Sequence, residues 1–276
     1  MIFNPVYGLG PPSVSYSGDY TTKSIVSGGK EYTLYTFTGS GTLTIKGRPL
    51  KNVDLWACGG GGTPTSTRGG AGGFFAQVDG QKIRAGAYAV AIGAANGETS
   101  LSGGGKKIIS AAGAVLEDDK TGVIMGGSGG GTMGTNGYQS RGMGVSTRPF
   151  GDSVNFTSLP CAGGGGSAVS HTYGSSSGGY VTYWASGGDG GSNGSDGHVG
   201  TVAESESDSG KGGKGGATGG GSGSGQVLVS DYYDRKNVPP TPATYYGSGG
   251  GGFNHWMGFT CLGVGYQGVM FMRVPV

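Results

Sequence analysis

Asn52-ValAspLeuTrpAlaCysGlyGlyGlyGly-Thr63 passes from a β-like run straight into four consecutive glycines. The first half suits a pleated, half-buried surface, whereas the second offers no side chain to bury. Outward from this junction, Tyr32-ThrLeuTyrThrPheThr-Gly39 alternates in polarity and Thr42-LeuThrIle-Lys46 alternates again, as strands with one buried face do. Further strands are expected at residues 74–78, 87–92 and 106–112, and far away at Gly268-ValMetPheMetArgVal-Pro275. The last of these is expected to pair with the early strands. That pairing would make the glycine-rich region an insertion with both ends anchored in one β-sandwich. No segment has helical periodicity, so the chain reads as all-β.

Glycine supplies 68 of the 276 residues, in blocks such as 59–62, 126–131, 163–166 and 212–225. Such a composition ordinarily reads as a flexible linker, because glycine loses more backbone entropy on folding than any other residue. The neighbours argue otherwise. Fifteen tyrosines, nine phenylalanines and three tryptophans are interleaved with the glycines, and only 12% of the chain is charged. A collagen-like triple helix is excluded by the missing glycine-every-third register and by only eleven prolines.

What remains depends on glycine having no β-carbon. Polyproline-II helices have three residues per turn and no internal hydrogen bonds, so their amides and carbonyls point sideways. All-glycine helices of this type can lie side by side and satisfy those groups between segments. Each such bond contributes about 1 kcal/mol net, against an ordering cost of about 1–2 kcal/mol per residue. A glycine bundle alone is therefore marginal and needs a conventional core as a clamp. The expected organisation is an extended or attachment segment at 1–31, a β-sandwich from 32–125 plus 262–276, and a bundle of polyproline-II-like (polyglycine II) helices with distal loops at 126–261.

The order Trp56-AlaCysGlyGlyGly-Gly62, a basic Ser/Thr loop, Gly69-GlyAlaGlyGly-Phe74, then Gly86-AlaTyrAlaValAlaIleGly-Ala94 resembles the glycine-rich tail proteins and receptor-binding proteins of tailed bacteriophages and prophages. So does the ending Gly263-ValGlyTyrGlnGlyValMetPheMetArg-Val274. The resemblance spans roughly residues 32–131 and 247–276, and the middle is similar only in composition. A looser similarity, confined to glycine-bundle physics, links the chain to polyglycine-helix adhesins at the fibre tips of T-even-like phages and to the glycine-rich extracellular domain of the anaplastic lymphoma kinase family. What the resemblance implies is a virion component, a tail fibre or tail-tip adhesin made in the bacterial host cytoplasm. Its implied partners are other tail or virion proteins and a bacterial surface receptor, protein or glycan, with a homotrimer left open.

Several functions are disfavoured by the residues themselves. A net charge of +2 gives no electrostatic footprint for nucleic acid. Met1-IlePheAsnPro-Val6 starts without a charged or apolar leader pattern, and no apolar run approaches the roughly 18 residues of a spanning helix, so neither a secretion signal nor membrane insertion is expected. Matches to GxGxxG are inevitable here and none sits in a strand-to-helix unit, while GxxxxGK[ST] is absent. The three histidines, His171, His198 and His255, are scattered, and no cysteine pair has zinc-ligand spacing. Asp189-GlyGlySerAsnGlySerAsp-Gly197 is oxygen-rich but matches neither an EF-hand loop nor a calcium nonapeptide. No cofactor or metal is expected. No nucleophile, base and orienting acid can be assembled, so the chain is not expected to be an enzyme. Cys58 and Cys161 sit in similar settings beside glycine runs and are read as small buried thiols.

The candidate site follows from counting segments. If residues 59–62 lead away from the sandwich and successive glycine runs alternate in direction, then 163–166 returns and 249–252 leads out again. Four connections, 63–68, 132–162, 192–211 and 253–261, would then share the far end. They carry Tyr138, Arg141, Arg148, Phe150, Phe156, His198, His255 and Trp256, an aromatic and Arg-enriched set of the kind that dominates binding surfaces. These are the expected receptor contacts. A purely structural virion part, such as a head fibre, decoration or baseplate component, would use the same scaffold without an exposed aromatic tip. An ice-binding role would need a flat repetitive face, which the irregular glycine spacing argues against.

Overall fold

A computed structural model of the chain describes residues 10–64, 69–116, 124–126, 141–142, 147–164, 166–172, 180–185, 219–220, 225–228, 235–252 and 263–276. In chain order its strands are β1 (Ser13–Tyr16), β2 (Tyr20–Ser27), β3 (Lys30–Phe37), β4 (Gly41–Lys46), β5 (Leu50–Cys58), β6 (Phe75–Ile83), β7 (Gly86–Ala91), β8 (Thr99–Gly103) and β9 (Lys106–Ala111). Shorter pairings follow: β10 (Val115–Leu116), β11 (Ile124–Gly126), β12 (Arg141–Gly142), β13 (Gly166–Thr172), β14 (Tyr180–Ala185), β15 (Gly225–Leu228) and β16 (Arg235–Val238), before β17 (Val269–Pro275). The one helical element among the described residues is a 3-10 turn at Pro149–Gly151.

The fold is all-β, built on two five-stranded antiparallel sheets. One runs β1-β4-β7-β8-β9 and the other β2-β3-β17-β5-β6. Between them lies a shared core of Phe37, Leu43, Ile45, Val53, Leu55, Ile83, Leu101, Met270 and Met272, so the arrangement is sandwich-like. β17 sits where the sequence leads one to expect it, hydrogen-bonded on one side to β3, with Met270 opposite Phe37, and on the other to β5, with Phe271 opposite Trp56. Residues 13–27, taken from the sequence as an extended segment ahead of the sheets, supply two of their strands. Only Ile25 of β2 is buried, because β2 is an edge strand, so no alternation betrays it.

The strand β5 does not stop at a turn but runs on into Gly59–Gly62. Here successive amides bond to different neighbours: Gly59 donates to Phe74, Gly60 to Gly97, Gly61 to Tyr266 and Gly62 to Ala71. The first and fourth share one neighbouring segment, so the direction of donation returns after three residues. Gly70 and Gly73, again three apart, donate to Gly250 and Gly247 of a single segment. In a β-strand the direction would repeat every second residue. At most of the glycines here there is no space for a side chain: a β-carbon on Gly60, Gly61, Gly70, Gly72, Gly164, Gly249 or Gly250 would overlap a backbone carbonyl of a neighbouring segment.

The hydrogen-bond register also fixes directions, and it corrects the alternating count. Pairing of 59 with 74 and 62 with 71 makes residues 69–74 antiparallel to 59–62. Gly164 donates to Gly70, while a β-carbon on Gly72 would meet the carbonyl of Cys161, so 161–164 is antiparallel to 69–73 and leads out rather than back. Cys161 donates to Tyr246 and Gly249 to Ala162, so 246–250 runs parallel to it. Residues 150–161 run along the outer face of the second sheet from Arg273 past Phe271 to Cys58, so the glycine run that follows Cys161 starts at the base and leads out.

Candidate functional site

Alternation along β5 and β17 decides what the outer face of the second sheet carries. Val53, Leu55, Ala57, Met270 and Met272 face the shared core. Trp56, Cys58, Val269 and Phe271 face outward, yet they are buried with Ile25, Tyr32, Leu34, Phe156 and Cys161 in a second cluster. Trp56 stacks on Phe75 with ring centroids 5.8 Å apart and lies 5.6 Å from Phe271. Phe156 meets Phe271 edge to face at 5.0 Å. Further along the same face Arg273 stands opposite Asp54, its Nε donating to Oδ2 at 2.7 Å. Asp54 Oδ1 accepts the Gly80 amide at 2.7 Å, and Arg273 Nη1 donates to Ser27 Oγ at 3.1 Å. The guanidinium lies 4.9 Å from the Tyr32 ring centre and 4.5 Å from that of Phe150. This largely buried ion pair is thus hydrogen-bonded on both sides, the condition under which burial of charge is tolerated.

Residues 147–160 form a strap across this face. Phe150 turns in the left-handed region (φ 55), and its amide donates to Gln77 Oε1 at 3.1 Å. Asp152 then closes an Asx-type turn: its Oδ1 accepts the Val154 and Asn155 amides, each at 3.0 Å. Asn155 Nδ2 donates to Asp152 Oδ2 at 2.7 Å and to the Val26 carbonyl at 2.9 Å, tying the strap to the edge strand. Arg148 Nη1 donates to the Phe156 carbonyl.

Burial by itself would raise the Asp152 carboxyl, but the Asn155 amide and side chain, the Ser27 hydroxyl and the Val154 amide outweigh it and bring it down to about 2. A carboxyl depressed on folding contributes stability above its unfolded value, lost as the pH falls through the folded one. Asp152→Ala is therefore expected to destabilise the protein by about 1 kcal/mol near neutral pH. The difference should shrink as the pH drops from about 4 towards about 2. Denaturant melts of both proteins across that range check it, and a pH-independent difference would contradict the charged-turn account.

Two clefts open beside the strap. One, of about 440 Å³, is lined by Ser27, Lys30, Tyr32, Phe150, Asp152 and Arg273 among others. The second, of about 240 Å³, has Leu34, Phe156 and Phe271 with Tyr245 and Tyr246, and Asn155, Thr157 and Ser158 beside them. Tyr246 also packs edge to face on Tyr266 at 5.8 Å.

Three of the expected contact residues therefore fall elsewhere than the segment count put them. Arg148, Phe150 and Phe156 lie on the sheet rather than at the end away from it, and Phe156 is only 7% exposed. Arg141 belongs to β12. Tyr138, His198, His255 and Trp256 lie outside the described residues. The sequence reading missed Lys30, Arg273, Tyr245 and Tyr246 at the clefts. An Arg two positions after Phe271, on the same face of an apolar strand, was the available signal for Arg273, but nothing in the spacing tied it to Phe150.

Cys58 and Cys161 are free thiols, both fully buried. Among the described residues no group of three or more His, Cys, Asp or Glu is placed to hold a metal ion, and no helix is long and apolar enough to cross a membrane. No protein-family model, curated protein or solved structure matches the chain.

Proposed function

We propose that the chain is a tail component of a bacteriophage or prophage, a fibre or tail-tip adhesin that contacts the host cell surface. In this reading the glycine-rich runs form a bundle of polyproline-II-like helices standing on the sandwich. The observation that carries it is the return of amide donors to the same neighbour after three residues, at 59 and 62 and at 70 and 73. A scaffold joined through its own backbone asks little packing of the side chains in its connections, so those residues are available for recognition. The resemblance of residues 32–131 and 247–276 to phage tail proteins supplies the class. Within that class, Tyr138, Arg141, His198, His255 and Trp256 remain the proposed contacts, whereas Arg148, Phe150 and Phe156 serve the fold.

The test separates adsorption from assembly. Truncating one aromatic anchor of an interface costs roughly 2 kcal/mol or more, enough for a tenfold or larger loss of affinity. Particles carrying His255→Ala with Trp256→Ala are expected in normal yield, adsorbing to host cells at least tenfold more slowly. Gold-labelled antibody against the chain should decorate tail tips of intact particles. A purely structural virion role is the second reading, favoured by the engagement of Arg148, Phe150 and Phe156 with the sheet. Label on heads or baseplates together with unchanged adsorption would select it, and particles that carry no label would refute both.

A further inference from the structure

Cys58 closes β5, and Cys161 opens a glycine run about 100 residues later, a ring size at which a cross-link strongly restricts the unfolded chain. Both are 0% exposed and share the outer-face cluster with Trp56 and Phe271. Their sulfurs converge on one point: a β-carbon on Gly247 would lie 2.9 Å from Cys58 Sγ and 3.0 Å from Cys161 Sγ. The nearby Cys58 side chain adds to burial in holding the Cys161 thiol protonated. Cys161 holds this place in the left-handed backbone region (φ 65), which glycine would occupy without strain in a stretch already rich in glycine. A small apolar side chain would fill the pocket equally well, so burial alone gives no reason for two facing thiols.

We propose that Cys58 and Cys161 are a dithiol–disulfide pair, reduced where the chain is made and joined on exposure to an oxidising medium. The bond would fasten the strap and the outgoing run 161–164 to the interior strand β5. The proposal stands independently of the tail reading. A suitable oxidant is a small disulfide such as oxidised glutathione. One protein thiolate attacks it, forming a mixed disulfide and expelling one glutathione thiolate. The second protein thiolate then attacks the protein sulfur of that mixed disulfide and expels the other. The protein loses two electrons and two protons, and one glutathione disulfide becomes two thiols. Burial raises Cys161 well above its ordinary value, so thiolate is scarce in the folded state and the bond forms as the chain folds or opens locally.

The test is to unfold the full chain and refold it in a glutathione redox buffer or in excess reductant. Free thiols are alkylated, the protein is digested without reduction, and linked peptides are identified by mass spectrometry. Expected is a Cys58–Cys161 peptide from the oxidised sample only, with a melting temperature higher by roughly 10 °C than that of the reduced protein. Cys161→Ala should melt at the same temperature in both buffers. A dithiol that persists through refolding, pairing of either residue with Cys261 instead, or an oxidised form that melts no higher than the reduced one would each overturn the proposal.

Discussion

Deleting residues 269–276 is expected to leave a chain that does not fold. β17 is not an edge strand that can peel away, because it is hydrogen-bonded to β3 on one side and β5 on the other. Its side chains also serve both faces: Met270 and Met272 enter the shared core, while Val269 and Phe271 anchor the outer aromatic cluster. Burying a large apolar side chain contributes about 1.5–3 kcal/mol, so the four together amount to roughly 6–12 kcal/mol. That is comparable to the roughly 5–15 kcal/mol total stability of an ordinary domain. Loss of Arg273 would add the cost of a buried Asp54 carboxylate without its cation. The deletion product should be insoluble or non-cooperative in denaturant. A soluble product with a cooperative melt would show that the sheet closes without β17.

The strands that carry most of this weight were legible for a simple reason. Val53 to Cys58 and Val269 to Met272 are nearly uninterrupted apolar runs, and both faces of the second sheet are covered there, so the composition reports the burial directly. β8 was missed because its buried or partly buried positions are Thr99, Ser100, Leu101, Ser102 and Gly103, mostly small residues beside a glycine-rich turn, and β1 because it offers only Val14 and Tyr16 as inward positions. Thr99 is buried because its hydroxyl accepts the Gly93 amide, a contact local polarity does not announce. The direction of the run at 161–164 was illegible for another reason. Segments joined by their backbones can lie parallel or antiparallel with equal satisfaction, and the run at 161–164 continues the direction of the strap that precedes it, which polarity does not announce. The same ambiguity misplaced Arg148, Phe150 and Phe156. An Arg beside two aromatics describes a recognition patch and a buried clamp equally well, and what separates them is whether Phe271 and Arg273 lie beneath.

Gly164→Val should destabilise the protein by about 3 kcal/mol or more, lowering the melting temperature by roughly 10 °C. The β-carbon would fall within the van der Waals envelope of the Gly250 carbonyl oxygen and also crowd Gly249 at 2.9 Å. No flexible side chain stands in the way that could swing aside, so the backbone segments themselves must separate. Separation would strain the bond from the Gly164 amide to Gly70 and the one from Gly249 to Ala162. It would also be transmitted, because Gly250 donates in turn to Gly62, the last residue of the run that leaves β5. Gly10→Val is the matched control, since a β-carbon there meets nothing within 4 Å. Equal melting temperatures for the two variants would mean that the glycine segments are not held backbone to backbone, and the scaffold on which the adhesin reading rests would go with them. A large loss at Gly164 alone would show that these glycines are selected by the absence of space rather than by a need for flexibility.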